Sequence, residues 1–244
     1  MVTSRDSLRE RGASKSPNGI LFLAANPVST CRLAFDEECA AIERELSMAD
    51  GRDDFDFRSK WAVTVHELMR HLNELRPTII HFSGHGYGGT GTRSNPTSRD
   101  IDCNDYRSEN GLYLQDEHGY PHCVTAQALR RMIGSAAASA RVVVLNACYS
   151  ARQASALCTV VDCVVGMRGA IRDDAARSFA VGFYRALGNH RSVGNAIEQA
   201  TAILEDTLCR PCCRTRKGLR ADQIVLSEES RSRSDSGRAR MSED

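Results

Sequence analysis

The sequence predicts an α/β fold, in which a mainly parallel sheet is covered by helices on both faces. Three observations carry this. The runs at residues 20–25, 78–82 and 141–145 are short and continuously apolar, as strands buried on both sides are. Segments with apolar residues at helical spacing alternate with them, which is the order that parallel crossovers require. The apolar fraction is 41% of 244 residues, enough for one sizeable core.

The elements follow in order. Ile20-Leu-Phe-Leu-Ala-Ala25 is too short for a helix, and Asn26-Pro27 closes it as a strand. From Leu33 to Met48, the residues Leu33, Ala34, Ala41, Ile42 and Leu46 fall at helical spacing among acidic ones, and Asp50-Gly51 ends that helix. Phe55 and Phe57 alternate with Asp54, Asp56 and Arg58, the pattern of a strand near a sheet edge. A helix from Val63 to Leu75 places Val65, Leu68, Met69 and Leu72 on one side and stops at Pro77. The strand at 78–82 runs into Ser83-Gly-His85-Gly86.

Residues 87–110 are rich in Gly, Ser, Thr, Asn and Asp and predict a long mobile loop. Gly111-Leu-Tyr-Leu114 with a Glu117-His-Gly119 turn predicts a small hairpin, followed by a helix over 125–133. The most apolar strand, 141–145, runs into Asn146-Ala-Cys148-Tyr-Ser150. A helix over 152–159, a strand over 162–167 and helices over 173–187 and 192–204 complete the pattern. Three regions result: a disordered segment over 1–18, one domain over 19–206, and a basic, Cys-containing and Ser/Arg-rich disordered tail over 207–244.

Net charge is +1, with both signs mixed along the chain. This excludes a broad electrostatic footprint for nucleic acid or an acidic membrane. No apolar stretch has membrane-spanning length, and residues 1–18 lack the apolar centre of a secretory signal. A cytoplasmic protein is therefore expected, with most of its ten cysteines as reduced thiols. Cys39, Cys158 and Cys163 lie in apolar surroundings and read as small buried hydrophobes.

Cys148 and His85 stand apart. Each follows the carboxyl end of a strong strand, where open α/β sheets hold their ligands. A thiolate is the attacking form of cysteine, and a nearby histidine takes its proton. Gly84 and Gly86 let the chain turn sharply and let a substrate approach. The amides of Gly86 and Cys148 are candidate oxyanion donors. His81, inside its strand, reads as a core or supporting residue. A lone buried cysteine or histidine is usually structural; the pair of strand ends favours chemistry.

His81-Phe-Ser-Gly-His85-Gly86 and Val144-Leu-Asn-Ala-Cys148-Tyr-Ser150 resemble the two defining blocks of the CHAT-domain proteins. These are caspase-like cysteine peptidases related to separases, gingipains and metacaspases. The resemblance runs from Ile20 to Glu205 and includes Gly111-Leu-Tyr-Leu114 and Val165-Gly-Met167. It implies a caspase-like three-layer sandwich around a six-stranded, largely parallel sheet. It also implies His85 and Cys148 as the catalytic dyad, Gly86 in the oxyanion hole, and no metal or organic cofactor. The implied substrate is a peptide bond in another protein. Members often adjoin sensor or repeat domains and act in bacterial stress or phage defence, so a separate regulatory or sensor protein is expected here. The competing reading is a catalytically silent module of the same fold that only binds proteins.

A substrate pocket is expected beside the last strands, near Met167, Arg168, Asp173 and Asp174. An acidic floor there would favour Arg or Lys before the cut. Equally, either aspartate could cap the following helix. Gly84-His-Gly-Tyr-Gly-Gly89 fits a dinucleotide pattern, but a polar loop follows where a helix must open. Cys209-Arg-Pro-Cys212-Cys213 has the spacing of half a zinc site, and without a second pair it reads as incidental surface thiols.

Overall fold

The sheet explains the position of everything else. In the computed structural model, which describes residues 17–28, 30–87, 111–204 and 210–226, six strands run in the order β2-β1-β3-β7-β8-β9. These are β1 (Asn18–Ala25), β2 (Phe55–Trp61), β3 (Ile79–Gly84), β7 (Val142–Asn146), β8 (Cys163–Met167) and β9 (Pro211–Thr215). The first five are parallel, and β9 closes the far edge antiparallel to β8. The α/β fold with a mainly parallel six-stranded sheet is thus the one expected.

The helices lie on both faces. Side chains alternate along a strand, and β1 divides them cleanly. Ile20, Phe22 and Ala24 pack with α1 (Phe35–Met48), α5 (Asp173–Gly188) and α6 (Val193–Ile203). Leu21, Leu23 and Ala25 pack with α2 (Val65–Leu75), α3 (Ala126–Ala136) and α4 (Ala151–Leu157). Both faces being apolar is why β1, β3 and β7 read as unbroken hydrophobic runs.

The helix starts are written locally. Thr64 accepts from the Glu67 amide while Glu67 bonds back to the Thr64 amide, a complete capping box. Thr125 and Ser192 cap α3 and α6 by accepting from the Ala128 and Asn195 amides. The expected hairpin is β5 (Gly111–Gln115) paired with β6 (Pro121–Thr125), joined by β4 (Gly86–Tyr87) into a small second sheet. Tyr87 therefore belongs to a strand, whereas the rest of the expected loop, 88–110, lies outside the described residues. So do 1–16, 205–209 and 227–244, which include Cys209.

One boundary is corrected. The tail expected from residue 207 does not begin there, because 210–226 belongs to the fold. Strand β9 pairs with β8 in register Val165↔Cys213, and Ile224 and Leu226 enter the core between β1 and α6. Cys212 is buried, and the Cys213 sulfur lies 3.4 Å from that of Cys163, so these are not surface thiols. The hydrogen bond the two sulfurs share pushes Cys163 up and Cys213 down from their ordinary values.

Candidate active site

The register of two strands builds the site. In the β3–β7 pair, Ser83 faces Asn146. His85 and Cys148 each lie two residues beyond that pair, level with one another on neighbouring strand ends. Their backbones touch there: a Cβ on Gly86 would fall 2.0 Å from the Cys148 carbonyl oxygen. Only glycine permits this approach.

The His85 ring is oriented by main chain. Its Nε2 lies 2.8 Å from the Cys31 carbonyl oxygen, in the segment between β1 and α1. A carbonyl can only accept, so Nε2 carries the proton and Nδ1 keeps the lone pair of the neutral ring. Burial lowers the His85 pKa, against the opposing pull of the Cys31 carbonyl and the Asp173 carboxylate. The imidazole is accordingly poised as a neutral base.

The Cys148 sulfur rests on the segment after β8. The Ile171 amide donates to it at 3.4 Å, and its thiol points to the Ile171 carbonyl at 3.7 Å. The turn that presents it is strained and pinned. Tyr149 takes a left-handed φ of 53°. The wholly buried Ser150 holds the turn: its hydroxyl lies 2.9 Å and 2.8 Å from the Leu145 and Ala147 carbonyls and accepts from the Met167 amide. Ser150 was not singled out in the sequence; its place two residues after Cys148, before a helix, was the available signal.

The expected pocket residues separate. Met167 is 0% exposed within the core and lines no open pocket. Arg168 is exposed. The Asp173 carboxylate accepts from the Ala34 amide at the start of α1, so it ties α5 to the segment that orients His85. Asp174 accepts from the Ala175 amide at the first turn of α5 and is paired with Arg172, which holds its carboxyl below the usual range. Asp174 thus fills the helix-start role, and Asp173 serves the neighbouring helix rather than its own. With Ala34, Glu37 and Arg177 they line a shallow surface depression.

Beneath the pair lies a buried polar cluster. Glu38 of α1 is 2% exposed, and its carboxylate meets His81 Nε2 at 2.9 Å, the Ser83 hydroxyl at 2.5 Å and the Asn146 amide at 2.6 Å. His81 Nδ1 meets the Tyr184 hydroxyl of α5 at 3.1 Å. Sequence reading placed His81 as a supporting residue and missed Glu38 within an acidic run. The signal was its spacing: Glu38 stands three residues after Phe35 and four before Ile42, on the buried stripe.

Comparison with known proteins agrees with this architecture. The sequence profile of the CHAT domain matches residues 1–221. A "Roc-COR-CHAT protease" from an unknown prokaryotic organism is 25% identical over 193 residues, 76% of this chain and 16% of the relative. A "Probable protease" of Gillisia limnaea is 24% identical over 204 residues, 79% of this chain and 33% of the relative. The chain therefore spans a minor part of either relative's length. Among solved structures, a secreted C11 cysteine protease from Bacteroides thetaiotaomicron, bound to an irreversible peptide inhibitor, superposes with a TM-score of 0.51 at 14% identity. That match covers 77% of this chain and 58% of the other.

Proposed function

This chain belongs to the CHAT-domain family, and on that footing we propose that it is a cysteine endopeptidase working through Cys148 and His85. The observation that supports the reading is the β3–β7 register, from which both residues follow at neighbouring strand ends, with the His85 ring held by Cys31. The protease names of both relatives support it.

The chemistry follows from the atoms. His85 Nδ1 takes the Cys148 proton as sulfur attacks the scissile carbonyl. The amides of Gly86 and Cys148 hold the resulting oxyanion, a kind of contact worth about 2.7–4 kcal/mol of transition-state stabilisation. The tetrahedral species collapses to a thioester while His85 returns the proton to the leaving amine. Water, with His85 again as base, then releases the acid and restores the thiol. No step calls for a metal. The substrate is a peptide segment of another protein, and a separate sensor protein switches the enzyme in a bacterial stress or defence response.

A peptide carrying a thiol-directed electrophile tests the dyad. Labelling should be confined to Cys148, vanish in Cys148→Ala and fall at least tenfold in His85→Ala. Equal labelling across several cysteines would sink the reading. A folded protein that takes no label at all would leave only the silent binding module.

A further inference from the structure

The buried cluster has no part in the reaction just described, yet it lies under both reacting groups. We propose that Glu38 is a positioning residue of the hydrolytic site. Its carboxylate fixes the two strand ends that carry His85 and Cys148, together with the segment whose Cys31 carbonyl orients the imidazole. This rests on the peptidase reading above and deepens it.

Connectivity is the first argument. Ser83 is two residues before His85 on β3, and Asn146 is two residues before Cys148 on β7. Both side chains donate to the same carboxylate. Glu38 itself sits in the first turn of α1, one turn after the Cys31–Ala34 segment. A single group therefore links three chain segments that must stay in register for the dyad to meet. Asn146 adds a fourth by donating also to the Ala176 carbonyl of α5, three residues after Asp173.

Proton counting is the second. The Ser83 O–H and the Asn146 N–H both donate to Glu38, and an ionised carboxylate can only accept, so the His81 contact is then an Nε2–H donor as well. A carboxylate accepts all three, whereas an amide in its place offers one oxygen and turns N–H groups toward donors. With Nε2 protonated toward Glu38, the His81 Nδ1 accepts from the Tyr184 hydroxyl 3.1 Å away. Burial, reinforced by the Glu38 charge, raises the Tyr184 pKa and keeps that hydroxyl protonated. The Phe22 ring stacks on His81 at 5.2 Å and seals the cluster.

Cost is the third. A buried ionic cluster is often replaced by apolar side chains without loss of stability, so packing alone does not call for one. Held between strand ends, however, it imposes a single arrangement. Asp173 is the charged side chain beside His85, from α5, and its own anchor is the Ala34 amide of the same segment.

The test is the rate of Cys148 alkylation by iodoacetamide from pH 5 to 9, read on the Cys148 peptide by mass spectrometry. In the parent chain the acid limb of this profile reports His85 and falls below the ordinary histidine value. Glu38→Gln should slow alkylation about tenfold and move the limb up toward about pH 6.5, the value of an ordinary histidine. Ser83→Ala, which removes one donor and folds more readily, should shift it part of the way. Leu72→Ala, in the opposite core layer, should lower the melting temperature without moving the limb. A parent-like profile in both Glu38→Gln and Ser83→Ala overturns the proposal, as does an equal shift in Leu72→Ala. His85→Ala separates the two readings. If it leaves the limb in place, the dyad itself is wrong; if it removes the limb while Glu38→Gln does not move it, only the role of Glu38 falls.

Discussion

Gly86 has no room for a side chain. A methyl group there would meet the Cys148 carbonyl at 2.0 Å, and backbone cannot swing aside as a side-chain tip can. Gly86→Ala should therefore push apart the two amides proposed as oxyanion donors while leaving the distant core intact. We expect the labelling of Cys148 by a peptide electrophile to drop about 10²–10³-fold, the range seen when one such donor is lost, with the melting temperature changed by only a few degrees. At the same scale, His85 gives a pH dependence of known sign. Its folded pKa lies below its unfolded one, so the unfolded chain binds the extra proton first. Stability is full above about pH 6.5 and is lost as pH falls through the folded value. His85 and Cys148 were legible as residues because glycines and strand ends frame them. Glu38 was not, because an acidic triplet at 36–38 looks like solvated helix surface until the partners on β3 and β7 are in place.

Elements were legible where their neighbours are predictable. Strands β1, β3 and β7 are central and apolar on both faces, so composition alone marks them. Helix α2 is bounded by local chemistry, the Thr64–Glu67 box at one end and a left-handed Arg76 before Pro77 at the other. Thr64→Ala should cost about 1 kcal/mol, read as a lower urea midpoint with an unchanged slope. Strand β9 shows the opposite case. Pro211-Cys-Cys-Arg-Thr215 has no alternation and only one fully buried residue, since it lies at the sheet edge. Its place is dictated by β8, whose outer side would otherwise expose a row of unpaired amides. That requirement belongs to the assembled sheet and leaves no trace in the five residues themselves.

At the scale of the whole molecule, the five parallel strands and their crossovers were readable as a class, and the site edge followed from it. The order of strands was not, because it depends on which crossovers fold to which face. Nor was the end of the domain. Residues 210–226 complete the sheet and bury Cys212, Ile224 and Leu226. A chain cut after residue 206 should lose its cooperative melting transition and label Cys148 no faster than its other thiols, compared with the full chain by calorimetry and mass spectrometry. Among the described residues no helix is long and apolar enough to cross a membrane.

The seam between the two ends has a meaning in time. The Asn18 side chain, at the first residue of β1, donates to the Leu226 carbonyl, so the sheet is sealed by the latest described residue meeting one of the earliest. Synthesis runs from the N-terminus. A ribosome-bound chain paused at residue 206 already contains both reactive side chains but lacks the strand and the two apolar anchors that complete their frame. It is the same molecule as the truncated variant. The proposed peptidase chemistry would thereby wait for residues 210–226 to join the sheet.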